Sequence, residues 1–281
     1  MSIAAEKRRA FRRLHEQGCF VMPNPWDVGT TRWLQHLGFP ALATTSAGAA
    51  FAMGLPDSDR FVSCDAMLEH IAAIAAAADV PVNADFGSGY GADPAAVGVN
   101  VRRCVETGVA GLSIEDSTGD ADGPLFPIAI AVERLRAARA AIDESDPTVV
   151  LTARAECYLV GVRDLGEVVT RLRAYAAAGA DCLYAPGLAT RDEMRTVAEA
   201  VAPKPVNVLA GASQPSVEEL ASLGIRRLSV GGALARTAWK GFMSAAQRIA
   251  SEGRFDGLSL AVPGAELNRF FTADARRRRE G

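Results

Sequence analysis

The stretch Val80-Pro81-Val82-Asn83-Ala84-Asp85-Phe86-Gly87-Ser88-Gly89-Tyr90-Gly91 decides the fold. A short apolar run ends in one acid, and a glycine-rich turn follows at once. Pro94 then opens a helix, because the fixed φ of proline suits a first helical turn, where its missing N–H costs nothing. Asp85 is therefore expected where a strand hands over to a loop. Two later stretches have the same grammar: Gly111-Leu112-Ser113-Ile114-Glu115-Asp116 and Val149-Val150-Leu151-Thr152-Ala153-Arg154-Ala155-Glu156. Each delivers polar groups at the C-terminal end of an apolar run. If the three runs are neighbouring parallel strands, these groups converge on one pocket.

The alternation extends outward in both directions. Upstream, residues 4–18 read as a charged amphipathic helix ahead of a strand at 19–22, and Asn24-Pro25-Trp26-Asp27 is a turn before a helix that ends near Gly38. A strand at 41–44 opens into the small-residue loop Thr45-Ser46-Ala47-Gly48, and Gly54-Leu55-Pro56-Asp57 marks another turn. The alanine-rich run 63–78 is a helix feeding the strand that ends at Asp85. Downstream, helices at 94–107, 128–142, 165–178, 191–201 and 217–223 lead in turn to strands at 111–115, 149–154, 182–185, 206–209 and 227–230. A long helix follows at 233–250. Gly108, Gly179 and Gly224 fall just past helices, where a left-handed cap is wanted.

Short apolar runs separated by helices predict a parallel sheet covered on its outside. Their even spacing and a total near the ~250 residues of a (β/α)8 barrel favour closure. An open doubly wound sheet would need a topological switch point, and no Gly-x-Gly-x-x-Gly turn follows the first strand. The expected fold is α/β: a (β/α)8 TIM-type barrel over residues 1–253, including an N-terminal helix, and a C-terminal helical extension over 254–281. In that extension Phe255, Leu258, Leu260, Val262, Leu267, Phe270 and Phe271 are too apolar for a free tail, so it should pack on the barrel or on a neighbouring subunit.

Composition narrows the function. A chain of 281 residues with a formal net charge of −3 gives no global reason to expect a nucleic-acid partner. Arg276–Arg279 reads as a solvated basic end rather than a nucleic-acid arm. No apolar run approaches the ~20 residues that span a bilayer, and the N-terminus lacks a signal core, so a cytoplasmic protein without a membrane partner is expected. The five cysteines lack paired spacing, and the three histidines fall in helix-like segments. A zinc knuckle, a disulfide framework or a Ser-His-Asp triad is not indicated.

Catalytic groups of such barrels lie at the C-terminal ends of the strands. That mouth holds Thr44, Ser46, Asp85, Glu115, Asp116, Arg154 and Glu156; Asn207 lies within the seventh strand. Two carboxylates facing each other in a low-dielectric mouth require a proton or a cation between them. Lys7, Lys204 and Lys240 lie elsewhere, which also removes a Schiff-base mechanism. All-oxygen ligation with room for waters suits Mg2+ or Mn2+. Spacing alone leaves a second reading open, in which Glu115 pairs with Arg154 and Asp85 caps its own turn. Gly231-Gly232 before the last helix would suit a phosphate site, but close helix–strand packing explains the pair more simply.

At these residues the chain resembles the isocitrate lyase/phosphoenolpyruvate mutase superfamily over roughly residues 23–249. The resemblance rests on Asn24-Pro25-Trp26-Asp27, Thr44-Thr45-Ser46-Ala47-Gly48, Gly54-Leu55-Pro56-Asp57, Asp85 with Gly89-Tyr90-Gly91, Ile114-Glu115-Asp116 and Ala153-Arg154. It implies a Mg2+ (or Mn2+) ion bound directly by Asp85, with Asp57 and Glu115 holding its waters. It further implies that Arg154 and the loop Thr44, Ser46 and Ala47 grip a 2-oxo-carboxylate, and that the chemistry passes through a metal-bound enolate of pyruvate. A C-terminal helix that crosses between subunits in the family adds the expectation of a homodimer or homotetramer.

Two departures matter. The family motif Asp-x-Asp-x-Gly-[Phe/Tyr]-Gly carries a second acid where this chain has Gly87. Lyases of isocitrate-like substrates carry a Lys-[Lys/Arg]-Cys-Gly-His loop, whereas residues 117–126 contain no cysteine, histidine or lysine. The expected function is a Mg2+-dependent carbon–carbon lyase acting on a small 2-oxo dicarboxylate, like an oxaloacetate decarboxylase, with Asp85, Glu115 and Arg154 catalytic and Asn207 beside the substrate. The alternatives are P–C bond chemistry on a phosphonopyruvate-like substrate, a 2-methylisocitrate-type lyase, and a ligand-binding barrel without catalysis.

Overall fold

The computed structural model describes residues 2–280. Its strands are β1 (Phe20–Met22), β2 (Leu42–Ala43), β3 (Val82–Asp85), β4 (Gly111–Glu115), β5 (Val150–Arg154), β6 (Cys182–Tyr184), β7 (Val206–Leu209) and β8 (Arg227–Ser229). They form one eight-stranded parallel sheet in the order β1-β8-β7-β6-β5-β4-β3-β2. Between the two edge strands the Ala43 N–H donates to the Pro23 carbonyl at 3.1 Å, bringing the sheet round into a nearly closed barrel.

The helices are α1 (Ile3–Leu14), α2 (Val28–His36), α3 (Ser46–Ala52), α4 (Cys64–Ala77), α5 (Pro94–Glu106) and α6 (Ile128–Ser145). They continue as α7 (Leu165–Ala177), α8 (Arg191–Val201), α9 (Val217–Ser222), α10 (Ala233–Glu252) and α11 (Gly264–Glu280). The chain groups into two compact units, Met1–Gly232 and Ala233–Gly281, so α10 groups with the C-terminal segment. Within that second unit, α10 and a 3-10 turn at Asp256–Leu260 line an apolar cavity of about 390 Å³. Phe242, Met243, Phe255 and Leu260 remain exposed there. Among the described residues, no helix is long and apolar enough to cross a membrane.

Local signals account for the starts of the barrel helices. Asp27 accepts from the Thr30 N–H while the Thr30 hydroxyl faces back to the Asp27 backbone, a reciprocal cap for α2. Asp93 caps α5 with Pro94 in the first turn. One expectation is corrected here. The small-residue loop expected at 45–48 is the beginning of a helix, because Thr45 accepts from the Gly48 N–H and the alanine-rich run behind it propagates as α3.

The first helix closes the base of the barrel. Phe11 is fully buried among Phe20, Ala110, Val150 and Cys182 at the N-terminal ends of the strands. A methyl on Gly111 would lie 2.7 Å from the Phe11 ring and 2.9 Å from the Val150 carbonyl, so this close approach requires glycine. Arg8 donates to the carbonyls of Val105, in the last turn of α5, and Val109, and Arg12 to those of Pro147 and Thr148, which ties the first helix to the segments that lead into β4 and β5. A rigid, sealed base leaves the opposite end as the place for chemistry.

Candidate active site

Asp85, Glu115 and Arg154 are the last residues of β3, β4 and β5. Glu115 lies directly across from Arg154, and Asp85 lies opposite Ser113, two residues back along β4. Parallel neighbours thus deliver all three charges to one end of the sheet. Arg154 joins them: its Nη1 is 2.6 Å from Asp85 Oδ1, its Nη2 3.1 Å from Glu115 Oε2, and its Nε 2.9 Å from Glu156 Oε1. Glu115 therefore pairs with Arg154, as one reading of the spacing had it. Asp85 does not cap its own turn. Its Oδ2 accepts from the Ser46 N–H at 2.9 Å, at the first turn of α3, and its own N–H donates to Thr44 Oγ1 at 2.9 Å.

Above these groups lies a cleft of about 340 Å³. Asp57, Asp59, Glu115, Glu156, Arg154 and Ser46 line it, and Ser117, Thr118 and Gly119 form one wall. That wall belongs to a small hairpin closed by a Ser117–Leu125 bridge and by the Thr118 N–H donating to the Pro124 carbonyl at 3.0 Å. Asp85 is one contact away, through Ser46 and Arg154. Asp57 and Asp59 stand at the rim, where solvent reaches them.

The electrostatics are lopsided. Burial, reinforced by the charges of Glu156, Asp85 and Asp59, holds the Glu115 carboxyl well above its ordinary range despite the pull of Arg154. Withdrawal from water and the charge of Asp85 raise Asp57; withdrawal from water likewise raises Asp59, with Asp85 adding to it. Burial also raises Glu156. Burial opposes the charge on Arg154, yet Glu156, Glu115 and Asp85 outweigh it and lift its pKa well above normal. Five carboxylates share one buried guanidinium, so full ionisation needs further positive charge.

The donor set fits a hard divalent cation. Among the described residues, no group of three or more His, Cys, Asp or Glu side chains is drawn together tightly enough to cage a bare ion. Mg2+ seldom takes such a cage; it keeps several waters and uses one or two carboxylates. Each Asp85 oxygen accepts one bond and retains a second lone pair. Asp57, whose carboxyl is met by the Ser46 hydroxyl, and Glu115 line the same cleft.

Other expected site residues fall differently. Thr44 is buried and serves Asp85 through its hydroxyl, while Ala47 sits in the first turn of α3. Asn207 lies inside the barrel: its amide donates to Ser229 Oγ at 3.0 Å and its carbonyl accepts from Arg227 at 2.9 Å, so it does not line the cleft. Asp116 turns away from the cleft to a buried set formed by Arg171 (3.0 Å), Tyr175 (2.5 Å) and the Glu156 N–H (2.8 Å), which braces the strand-five loop. The N–H groups of Val230 and Gly231 both donate to Asn24 Oδ1, so the glycine pair after β8 has no amide to spare there for a phosphate.

The strand-end pattern of the sequence does not point to Asp59, which also lines the cleft. Its only local signal is a second acid in Pro56-Asp57-Ser58-Asp59, together with a missing one at Gly87.

The phosphoenolpyruvate phosphomutase family profile matches residues 11–250. A protein of Burkholderia cenocepacia J2315 described as a "putative lyase/mutase" has a crystal structure with a TM-score of 0.90 at 48% identity, each chain covered to 96%. The uncharacterized protein Rv1998c of Mycobacterium tuberculosis is 32% identical over 262 residues, 92% of this chain and 94% of that one. An oxaloacetate decarboxylase of Bradyrhizobium diazoefficiens is 29% identical over 210 residues, 71% of this chain and 69% of that one. On the extent of the profile match, and with the strand-end motifs in place around one barrel mouth, the chain belongs to the phosphoenolpyruvate phosphomutase family of the isocitrate lyase/PEP mutase superfamily.

Proposed function

We propose that this protein is a Mg2+- or Mn2+-dependent lyase that breaks the C3–C4 bond of a small 2-oxo dicarboxylate and releases its 4-carboxylate as carbon dioxide, with oxaloacetate as the model substrate. Asp85 would hold the ion directly, and Asp57 and Glu115 would hold its waters. A cation bound there would be chelated by the 2-oxo acid and would supply positive charge against the negative charge that develops as the bond breaks.

Arg154 uses three of its five N–H groups on Asp85, Glu115 and Glu156 and keeps two for a substrate carboxylate. The three acids hold its fork in one orientation, so little entropy is lost when substrate binds. Ser46, at the open first turn of α3, offers its hydroxyl to the other end of a 2-oxo acid.

The observation that carries this reading over an isocitrate-type lyase is the wall formed by Ser117, Thr118 and Gly119. None of these can protonate a departing carbanion. A positioned acid is typically worth ~10²–10⁴ in rate, and cleavage of an isocitrate-like substrate depends on one. Loss of carbon dioxide needs no such group at the bond-breaking step, since the bonding pair passes to the 2-oxo group and the new C–H proton can come from water. The likeness to an oxaloacetate decarboxylase supports the same choice.

Purified protein with Mg2+ should release pyruvate from oxaloacetate faster than Mg2+ alone, and Arg154→Ala should abolish that excess. Efficient cleavage of 2-methylisocitrate with oxaloacetate untouched would overturn the reading. Turnover of phosphonopyruvate alone would move the assignment to P–C bond chemistry. Assembly as a homodimer or homotetramer, through the apolar side chains exposed in Ala233–Gly281, belongs to the same proposal and is read by light scattering.

A further inference from the structure

Gly87 follows Phe86 at the head of β3, and its bare Cα faces a carboxylate. A methyl on Gly87 would lie 2.5 Å from Asp59 Oδ1 and 3.1 Å from both Asp59 Cγ and Oδ2. No real Cβ tolerates that approach, so the Asp59 carboxylate occupies the space that a side chain at position 87 would take. Asp59 comes from elsewhere in the chain, the loop between α3 and α4.

The carboxylate is held there by design of its surroundings. Asp59 Oδ2 accepts from the Ser88 N–H at 3.1 Å and from the Ser88 hydroxyl at 2.7 Å. Ser88 is anchored in turn, because its carbonyl accepts from Arg134 Nη2 at 2.8 Å. The Tyr90 hydroxyl reaches Asp59 as well. Tyr90 itself adopts φ 53°, a left-handed conformation uncommon for a bulky residue. Asp59 lines the cleft together with Asp57, Glu115 and Arg154, with its Oδ1 on the Gly87 side.

We infer that Asp59 is a positioning residue of the cation site, a carboxylate carried in on the α3–α4 loop that fills the place left by glycine at position 87 and orders the water around the ion. The inference rests on the cation reading proposed above and adds to it a residue that the strand-end pattern does not contain. It also explains why a glycine is needed at 87: with Asp59 in place, any side chain there would displace it. Sequence substitution at 87 and the acid at 59 are therefore coupled.

Titration with Mn2+, followed by the EPR signal of the free ion, tests this without relying on turnover. Asp59→Asn keeps the shape and the Ser88 contacts, and should weaken Mn2+ binding about ten- to a hundredfold, the usual effect of losing a group that orients metal ligands. The metal-free variant should melt with the wild type. The double variant Asp59→Gly/Gly87→Asp returns a carboxylate to the same space from the other side and should recover at least part of the affinity. Recovery is not expected if Asp59 merely anchors its loop.

Equal Mn2+ affinity in wild type and Asp59→Asn, with Asp85→Ala defective, would overturn the inference and leave the cation reading standing. A double variant no better than Asp59→Asn would overturn the claim that the two positions share one place. Absence of Mn2+ binding by the wild type would instead remove the cation reading itself, and this inference with it.

Discussion

At the base of the barrel Arg8 meets Asp146 at 2.7 Å, and Asp181 is met by Arg139 at 2.9 Å and Arg12 at 3.3 Å; at the mouth a single Arg154 answers Asp85, Glu115 and Glu156. The base matches each acid with at least one guanidinium and uses further N–H groups of Arg8 and Arg12 on backbone carbonyls ahead of β4 and β5. The mouth gathers carboxylates beyond what its arginine can neutralise. Both ends are built from the same residue types on the same sheet. The difference is that the base is electrostatically complete, whereas the mouth needs protons or a bound cation to become so. Conflict of this kind persists in a folded chain where function needs it.

The comparison breaks most visibly at Phe11. Phe11→Ala opens a cavity in the sealed base and should cost about 3–5 kcal/mol of stability in denaturant melts, with cation affinity unchanged in whatever folds. Arg154→Ala does the reverse. It should lower pyruvate release from oxaloacetate at least about a hundredfold, as loss of an oriented charge at a reacting centre does. Added Mg2+ should not restore it. A base variant that lost activity while retaining its melting temperature would show that the two ends are not separable.

Glu115→Gln is expected to act more mildly. Its partner ion would be touched only through water, so cation affinity should fall about tenfold. The metal-free variant should melt no lower than wild type, because a carboxyl that burial already disfavours in its charged form has been made neutral. Asp146→Asn at the base should melt lower, since that carboxylate is met by Arg8 and by Thr148.

The smallest effect is one of pH, and its sign differs between the ends. The raised pKa values of Glu115, Asp57 and Asp59 mean that the native state holds protons the unfolded chain has released. Stability of the metal-free protein contributed by the mouth should therefore fall as pH rises from about 4.5 through the raised values. Asp146 is shifted the other way: burial opposes its charge, but Thr148 and Arg8 outweigh it and lower its pKa. Its contribution is present above about pH 3.8 and lost as pH falls through the depressed value. Melting temperatures from acid to neutral pH in EDTA and in Mg2+ resolve the two, because only the mouth slope should flatten when the ion is present.

The barrel was legible because parallel strands covered on both faces read as continuous apolar runs, and each of the runs ending at Asp85, Glu115 and Arg154 stops at a charge that a buried strand cannot carry. Boundaries were less so. The helix at Ser46–Ala52 was hidden by small residues that serve turns and alanine-rich helices alike, and only the Thr45 cap separates the two. Asn207, within the seventh strand, is expected beside the substrate, but its side chain is taken up inside the barrel by Ser229 and Arg227. Asp59 was invisible because its role depends on a space, at Gly87, that lies far away in the chain. Local pattern reports which groups a strand delivers; it does not report what a distant loop lays against them.

The central claim is that the mouth is completed by a divalent cation on Asp85. Calorimetric titration of wild type and Asp85→Ala with Mg2+, with oxalate present as a mimic of the 2-oxo acid, tests it most directly. One saturable site per chain is expected in the wild type and none in Asp85→Ala, whose fold should be intact by circular dichroism. Equal Mg2+ affinity in the two proteins would contradict it.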